Sequence, residues 1–294
     1  MNMLRKDFLK FLATTPLIFS DMKMQAFENI TQNFGRTPKM PMLFIGHGSP
    51  MNALFDNSFT QTLRKVGKSI EKPNAIMVIS AHWETRGTYV SLSEKPATIY
   101  DFGGFDPKLY EVKYDAKGDP ELAKEVIKSA FDFHIQEDHK MGLDHGAWTV
   151  LKHLFPNADI PIFQMSMDYT QPASHHFELA KSLRKMREKG VMIIGSGNIV
   201  HNLRLLNWKD IDSQPFDWAF EFDEIVKNKI DRREFIDLVN YQNFGNIAQL
   251  SIPTNDHYMP MIYTLGLADK NEEIQYIYEG YQYGSLSMRC FQVS

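Results

Sequence analysis

Met42-Leu43-Phe44-Ile45-Gly46-His47-Gly48-Ser49-Pro50 sets four apolar residues in a row and ends them on a glycine, with a histidine where the run stops. The run reads as a short buried strand. Gly46 and Gly48 leave the backbone beside His47 unobstructed, and Pro50 keeps the strand from continuing. An imidazole is thereby presented at a sheet edge. The pattern recurs at Ala75-Ile76-Met77-Val78-Ile79-Ser80-Ala81-His82 and from Val191-Met192-Ile193-Ile194-Gly195-Ser196-Gly197 through to His201. Three such runs, each delivering a histidine just past its end, predict one site assembled from distant parts of the chain.

Composition narrows the class. A chain of 294 residues can bury a substantial core and reads as one domain. Hydrophobic residues at 43%, charged at 23% and aromatic at 13% describe an ordinary soluble globular protein. The formal net charge of -4, with no run of lysine or arginine, offers no electrostatic footprint for nucleic acid and leaves a small molecule as the expected partner. The single cysteine, Cys290, excludes an internal disulfide framework and a thiolate zinc site. Any metal must therefore be held by imidazole and carboxylate.

Residues 1–40 differ from the rest and are read as an N-terminal extension. Arg5-Lys6-Asp7-Phe8-Leu9-Lys10 precedes a short apolar stretch, Phe11 to Phe19, in the manner of a twin-arginine export leader with lysine in place of the second arginine. An amphipathic helix packed on the domain is the equal alternative. The stretch is too short to span a bilayer. The chain is expected in the cytoplasm, or in the periplasm if the leader functions.

From residue 41 to 294 strands alternate with helices. Asp56, Asn57 and Ser58 are capping residues for a helix over Phe59 to Lys68, and Thr88 to Leu92 reads as a strand. Tyr100-Asp101-Phe102-Gly103-Gly104-Phe105 is an aromatic, glycine-rich loop that either covers a pocket or is a plain surface turn. Helices are predicted from Asp119-Pro120 to Ala130, over Ala147 to Phe155, over Pro172 to Lys189 and from Trp218 to Val239; strands over Ile160 to Met165, Gln275 to Tyr278 and Ser287 to Gln292. That alternation predicts an α/β sheet with helices on both faces.

Of the ten histidines, His134, His139, His153, His175 and His176 lie on or beside predicted helices among polar neighbours and read as structural. His47, His82, His145, His201 and His257 lie in loops at element ends, flanked by Gly, Ser, Asp or Asn. Their spacing carries no local metal motif, so convergence has to come from the fold, along the rim shared by the carboxyl ends of the strands. Three imidazoles that met there would form a neutral nitrogen site for Fe(II), Zn(II) or a similar ion. Glu84 and Asp256 read as carboxylate ligands, as acceptors orienting an imidazole, or as solvated charge.

Six segments in order, Gly46 to Asn52, Ser80 to Trp83, Tyr100 to Phe105, Asp144 to Gly146, Gly197 to Arg204 and His257 to Pro260, resemble the class III extradiol ring-cleavage dioxygenases, in their 4,5-DOPA dioxygenase-like branch. The resemblance implies a single α/β domain with a central mixed sheet and one divalent metal per chain, Fe(II) for the dioxygenase reaction with Zn(II) able to occupy the site. It implies His47, His82 and His257 as metal ligands, with His257 where many relatives have glutamate. It implies His201 as an acid and base that also approaches the metal, and His145 as a catalytic residue lining the substrate pocket, with Trp83 and the Gly103-Gly104 loop shaping it. The reaction implied is oxygen-dependent opening of a catechol ring to a muconic semialdehyde-type product. A zinc hydrolase on the same scaffold and a non-catalytic binding protein that keeps the cleft are the rival readings.

Overall fold

Every residue of Met42–Gly46 (β1) is buried, as is every residue of Ala75–Ser80 and Val191–Gly197 in the computed structural model, which describes residues 39–294. Unbroken apolar runs have this fate when both faces of a sheet are covered. Because successive strand side chains point to opposite faces, the runs divide between two cores. Met42, Phe44, Met77, Ile79 and Ile193 enter one, and Leu43, Ile45, Ile76, Val78, Met192 and Ile194 enter the other.

The helices that close the second core are Ser58–Ser69 (α1), through Phe59, Leu63 and Val66, and His145–Leu154 (α2), through Trp148 and Leu151. The first core is closed by Ala173–Ser182 (α3), through Phe177 and Leu179, and by Met259–Leu267 (α4), which is buried along its whole length. Asn57, one of the three capping residues the sequence offers, starts α1 with a reciprocal capping box to Thr60.

The sheet has six strands. With Ala75–Ser80 as β2, Ile162–Gln164 as β3, Val191–Gly197 as β4, Ile274–Tyr278 as β5 and Cys290–Val293 as β6, the order across it is β3-β2-β4-β1-β6-β5. β3, β2, β4 and β1 are parallel, β6 runs antiparallel to β1, and β5 antiparallel to β6. This is the expected single α/β domain with a mixed sheet and helices on both faces. The three histidine-bearing strands are neighbours, with β4 between β2 and β1.

Several boundaries differ from the sequence reading. The strand predicted at Thr88 to Leu92 forms as Tyr89–Ser91, but pairs with Gln136–Asp138 in a separate small ladder. The helix predicted over Pro172 to Lys189 breaks at Leu183, and the one from Trp218 ends at Asp231. There Arg233 adopts a left-handed φ of 55° while its guanidinium bonds the Asp269 and Glu272 carbonyls. A distant tertiary contact thus overrides local helix propensity. The leader-or-helix question for residues 1–38, and with it the compartment, lies outside the described residues; among those described, no helix is long and apolar enough to cross a membrane.

Candidate active site

The site begins where the parallel strands end. β1 and β4 finish in register, Gly46 beside Gly197, and the ladder runs one step further: His47 N–H donates to the Gly197 carbonyl at 3.0 Å. On the other side of β4, Ala81 N–H donates to the Ser196 carbonyl at 2.9 Å. His47 and His82 are therefore launched toward each other from the two flanks of β4.

Two glycines let further segments close in. The Asn198 N–H donates to the His257 carbonyl at 2.8 Å, and a Cβ on Gly197 would lie 2.1 Å from that oxygen, so only glycine admits the 253–258 segment. A Cβ on Gly146 would lie 2.5 Å from Ser80 Oγ and 2.9 Å from His82 Cδ2. Its absence lets the N-terminus of α2 reach β2. Asp144 caps that helix and accepts the Ser80 hydroxyl at 2.6 Å, which sets His145 at the first helical position, two residues earlier than the sequence predicts.

Candidate ligand atoms of His47, His82 and His257 lie within 4.8 Å of one another. His82 Nε2 faces His47 Nε2 at 3.1 Å. Two nitrogens each about 2.1 Å from one ion, at a right angle, would be about 3.0 Å apart, so the pair has the spacing of neighbouring donors on a metal.

The outer nitrogens decide what the inner ones offer. Ser196 Oγ donates to the Gly146 carbonyl at 2.6 Å, so toward His47 Nδ1 at 3.0 Å it acts as acceptor. His47 then carries its proton on Nδ1 and keeps a lone pair on Nε2. His257 Nδ1 makes the same kind of bond to Asp256 Oδ2 at 2.8 Å. Both are the arrangement that fixes a metal-binding tautomer.

His145 and His201 complete the group. His145 lies 3.8 Å from His82, ring centre to ring centre, and donates Nδ1–H to Asp101 Oδ2 at 2.9 Å, while its backbone N–H donates to Asp101 Oδ1. His201 stacks on His257 with ring centres 3.4 Å apart and planes 5° from parallel. His201 N–H is held by the Ser251 carbonyl at 2.9 Å.

Burial keeps His47, His82, His201 and His257 neutral. It drives His47 and His257 well below the ordinary imidazole range, and the neighbouring imidazoles add to the effect. His82 is lowered to about 3 by burial and by His145, against the Asp101 carboxylate. His201 is lowered to about 4 by burial, with Asp256 opposing. Burial also pushes the Asp101 carboxyl up, but its bonds and charge contacts with His145 outweigh that and hold it below the usual value. Neutral imidazoles at neutral pH are what a divalent ion requires.

The five loop histidines all line one cavity of about 460 Å³, within the usual span of about 300–1,000 Å³ for small-molecule sites. Its apolar walls are Phe102, Phe105, Leu203, Leu206 and Trp208. The aromatic loop therefore borders the pocket through Phe102 and Phe105, whereas Trp83 is buried and is not among the lining residues. Glu84 is exposed and outside the candidate metal group, while Asp256 orients His257. His153 and His176 are structural, bonding the Asn52 carbonyl and the Tyr263 hydroxyl. Sequence reasoning missed the parts played by Asp101 and Ser196. The first sits in a loop flagged only for its aromatics, and the second inside a strand where a serine signals nothing.

Residues 38–289 match the family model described as the catalytic LigB subunit of aromatic ring-opening dioxygenase. The chain is 44% identical over 259 residues to the 4,5-DOPA dioxygenase extradiol of Escherichia coli K12, covering 87% of this chain and 95% of that protein. It is 34% identical to the Beta vulgaris protein of the same description, covering 85% and 94%. A crystal structure of an uncharacterised protein of Escherichia coli K12 superposes with a TM-score of 0.75 at 41% identity, covering 87% of this chain and all of that one.

Proposed function

The chain belongs to the family of the catalytic LigB subunit of aromatic ring-opening dioxygenase, and from that premise we propose that it opens a catechol ring beside one hydroxyl-bearing carbon, placing both atoms of O2 in a muconic semialdehyde-type product. The catalytic domain in this reading is residues 41–294. The observation that carries it is the convergence of His47, His82 and His257 on one spot, beside His145 and His201, along one cavity large enough for a catechol.

His47, His82 and His257 hold a single divalent ion through neutral nitrogens. Iron(II) held there would supply positions for the catechol oxygens and for dioxygen and the electron transfer between them; zinc suits the same donors without that redox chemistry. Ser196 and Asp256 keep two of the imidazoles in the binding tautomer. His201, neutral at working pH, has a lone pair for the proton a catechol hydroxyl loses and returns that proton as the ring opens. His145, with Nδ1–H committed to Asp101, keeps its other nitrogen for a substrate oxygen. Phe102 and Phe105 flank the ring and exclude water.

The test is reconstitution with Fe(II) under reducing conditions, followed by oxygen uptake and product absorbance across a panel of catechols. One O2 should be consumed per ring opened, and none opened without oxygen. Oxygen-independent turnover would put a hydrolase in its place. His201→Ala should keep the metal while ring opening slows by at least about a hundredfold; unchanged turnover removes the role given to His201.

A further inference from the structure

We propose that Tyr283 is a substrate-contacting wall of the cavity, its ring held against the bound aromatic ring by a backbone turn that a tyrosine itself disfavours. The proposal rests on the ring-opening reading for what enters the cavity; the conformation of the turn stands without it.

Tyr281–Gln282 and Leu286–Ser287 pair as a two-stranded hairpin, and the chain reverses through residues 283–285. Two successive residues of that reversal, Tyr283 and Gly284, have left-handed φ values of 51° and 74°. Glycine takes this conformation freely and asparagine tolerates it, whereas a bulky side chain is crowded against its own backbone. Of the four non-glycine residues in this conformation among those described, Tyr283 alone lines the cavity.

The surroundings over-determine the turn. Tyr283 N–H donates to the Ile211 carbonyl at 2.8 Å, the Tyr283 carbonyl accepts the Asn207 N–H at 2.8 Å, and the Gly284 carbonyl accepts the Phe216 N–H at 2.9 Å. On one side of it, the buried Gln282 side chain accepts the Ser49 N–H at 2.9 Å and donates to Asn52 Oδ1 at 2.8 Å, which ties the hairpin to the loop that follows His47. On the other side, Leu286 forms a β-bridge with His201. Tyr283 is thus suspended between the segments that carry two of the site's histidines.

The fold gains little from the tyrosine ring. It belongs to neither hydrophobic core, and its hydroxyl bonds no described residue. Its ring contact is with Trp208, itself 67% exposed, at a centre-to-centre distance of 5.6 Å. Strain that persists at a cavity wall without a packing gain belongs to a site that uses the side chain.

The experiment compares the wild type with Tyr283→Asn, which suits the turn and removes the ring, and Tyr283→Phe, which keeps the ring. Melting temperatures are taken on the zinc-loaded proteins without substrate, 4-methylcatechol binding is measured on the same proteins by calorimetry, and turnover is followed by oxygen uptake after loading with Fe(II). Tyr283→Asn should melt no lower than the wild type yet bind 4-methylcatechol about 10-fold more weakly, with KM raised by the same factor and kcat within about twofold. Tyr283→Phe should bind and turn over like the wild type. A lower melting temperature for the asparagine variant assigns the ring to the fold, and an unchanged affinity removes its contact with the substrate; either result overturns the proposal. If the wild type binds the catechol but opens no ring, the melting and binding comparisons still decide for or against Tyr283, while the ring-opening reading falls alone.

Discussion

Two buried polar assemblies lie close together and obey opposite rules. In one, Arg289 is surrounded by Asp223, Glu224 and Glu279, with Ser287 and Tyr281 completing the acceptors' needs. In the other, five imidazoles face one another with carboxylates only on the outer side. They are joined by a bridge from His201 to Leu286, next to Ser287. The arginine assembly satisfies itself, whereas the histidine assembly turns its inner nitrogens toward one another and toward the cavity they line.

The widest gap between the two should appear in acid. His82 and His201 are held near 3 and 4 in the folded chain and return to about 6.5 on unfolding. The unfolded chain then binds more protons below 6.5. The stability of the metal-free protein is complete above that pH and drains as pH falls toward 4, by on the order of 3 kcal/mol for each histidine. Thermal melts with a chelator from pH 7 to 4 measure this, and a flat melting temperature would mean the imidazoles are already charged in the fold.

Next in size is the arginine assembly, where Asp223→Ala strands a guanidinium that is 3% exposed and should cost about 3–5 kcal/mol in urea unfolding. A loss under about 1 kcal/mol would show that Glu224 and Glu279 suffice, and the assembly would be less interlocked than its bonds suggest.

The smallest expected effect sharpens the contrast most. Ser196→Ala removes the acceptor that fixes the His47 tautomer and should weaken metal affinity about 10- to 100-fold with little change in urea midpoint. Unchanged affinity would leave Ser196 as packing.

The legible part of this molecule was the part written in runs. The apolar runs that open β1, β2 and β4 announced a sheet covered on both faces, and the histidines past their ends announced its working rim. Asp101 was not legible, because its partner His145 lies 44 positions away and a lone acid in a loop has no period to betray it. Ser196 was hidden by the strand that carries it. Arg233 ended a helix through carbonyls met only in the folded chain.

The place of β6 beside β1 has a consequence for synthesis. Gly46 donates its N–H to the Cys290 thiol across 244 positions of sequence. The strand that presents His47 thus lacks its outer neighbour until residues 290–293 have emerged from the ribosome. On the proposed metal reading, a nascent chain cannot finish a stable cradle around an ion before residues 290–293 are available to pair with β1.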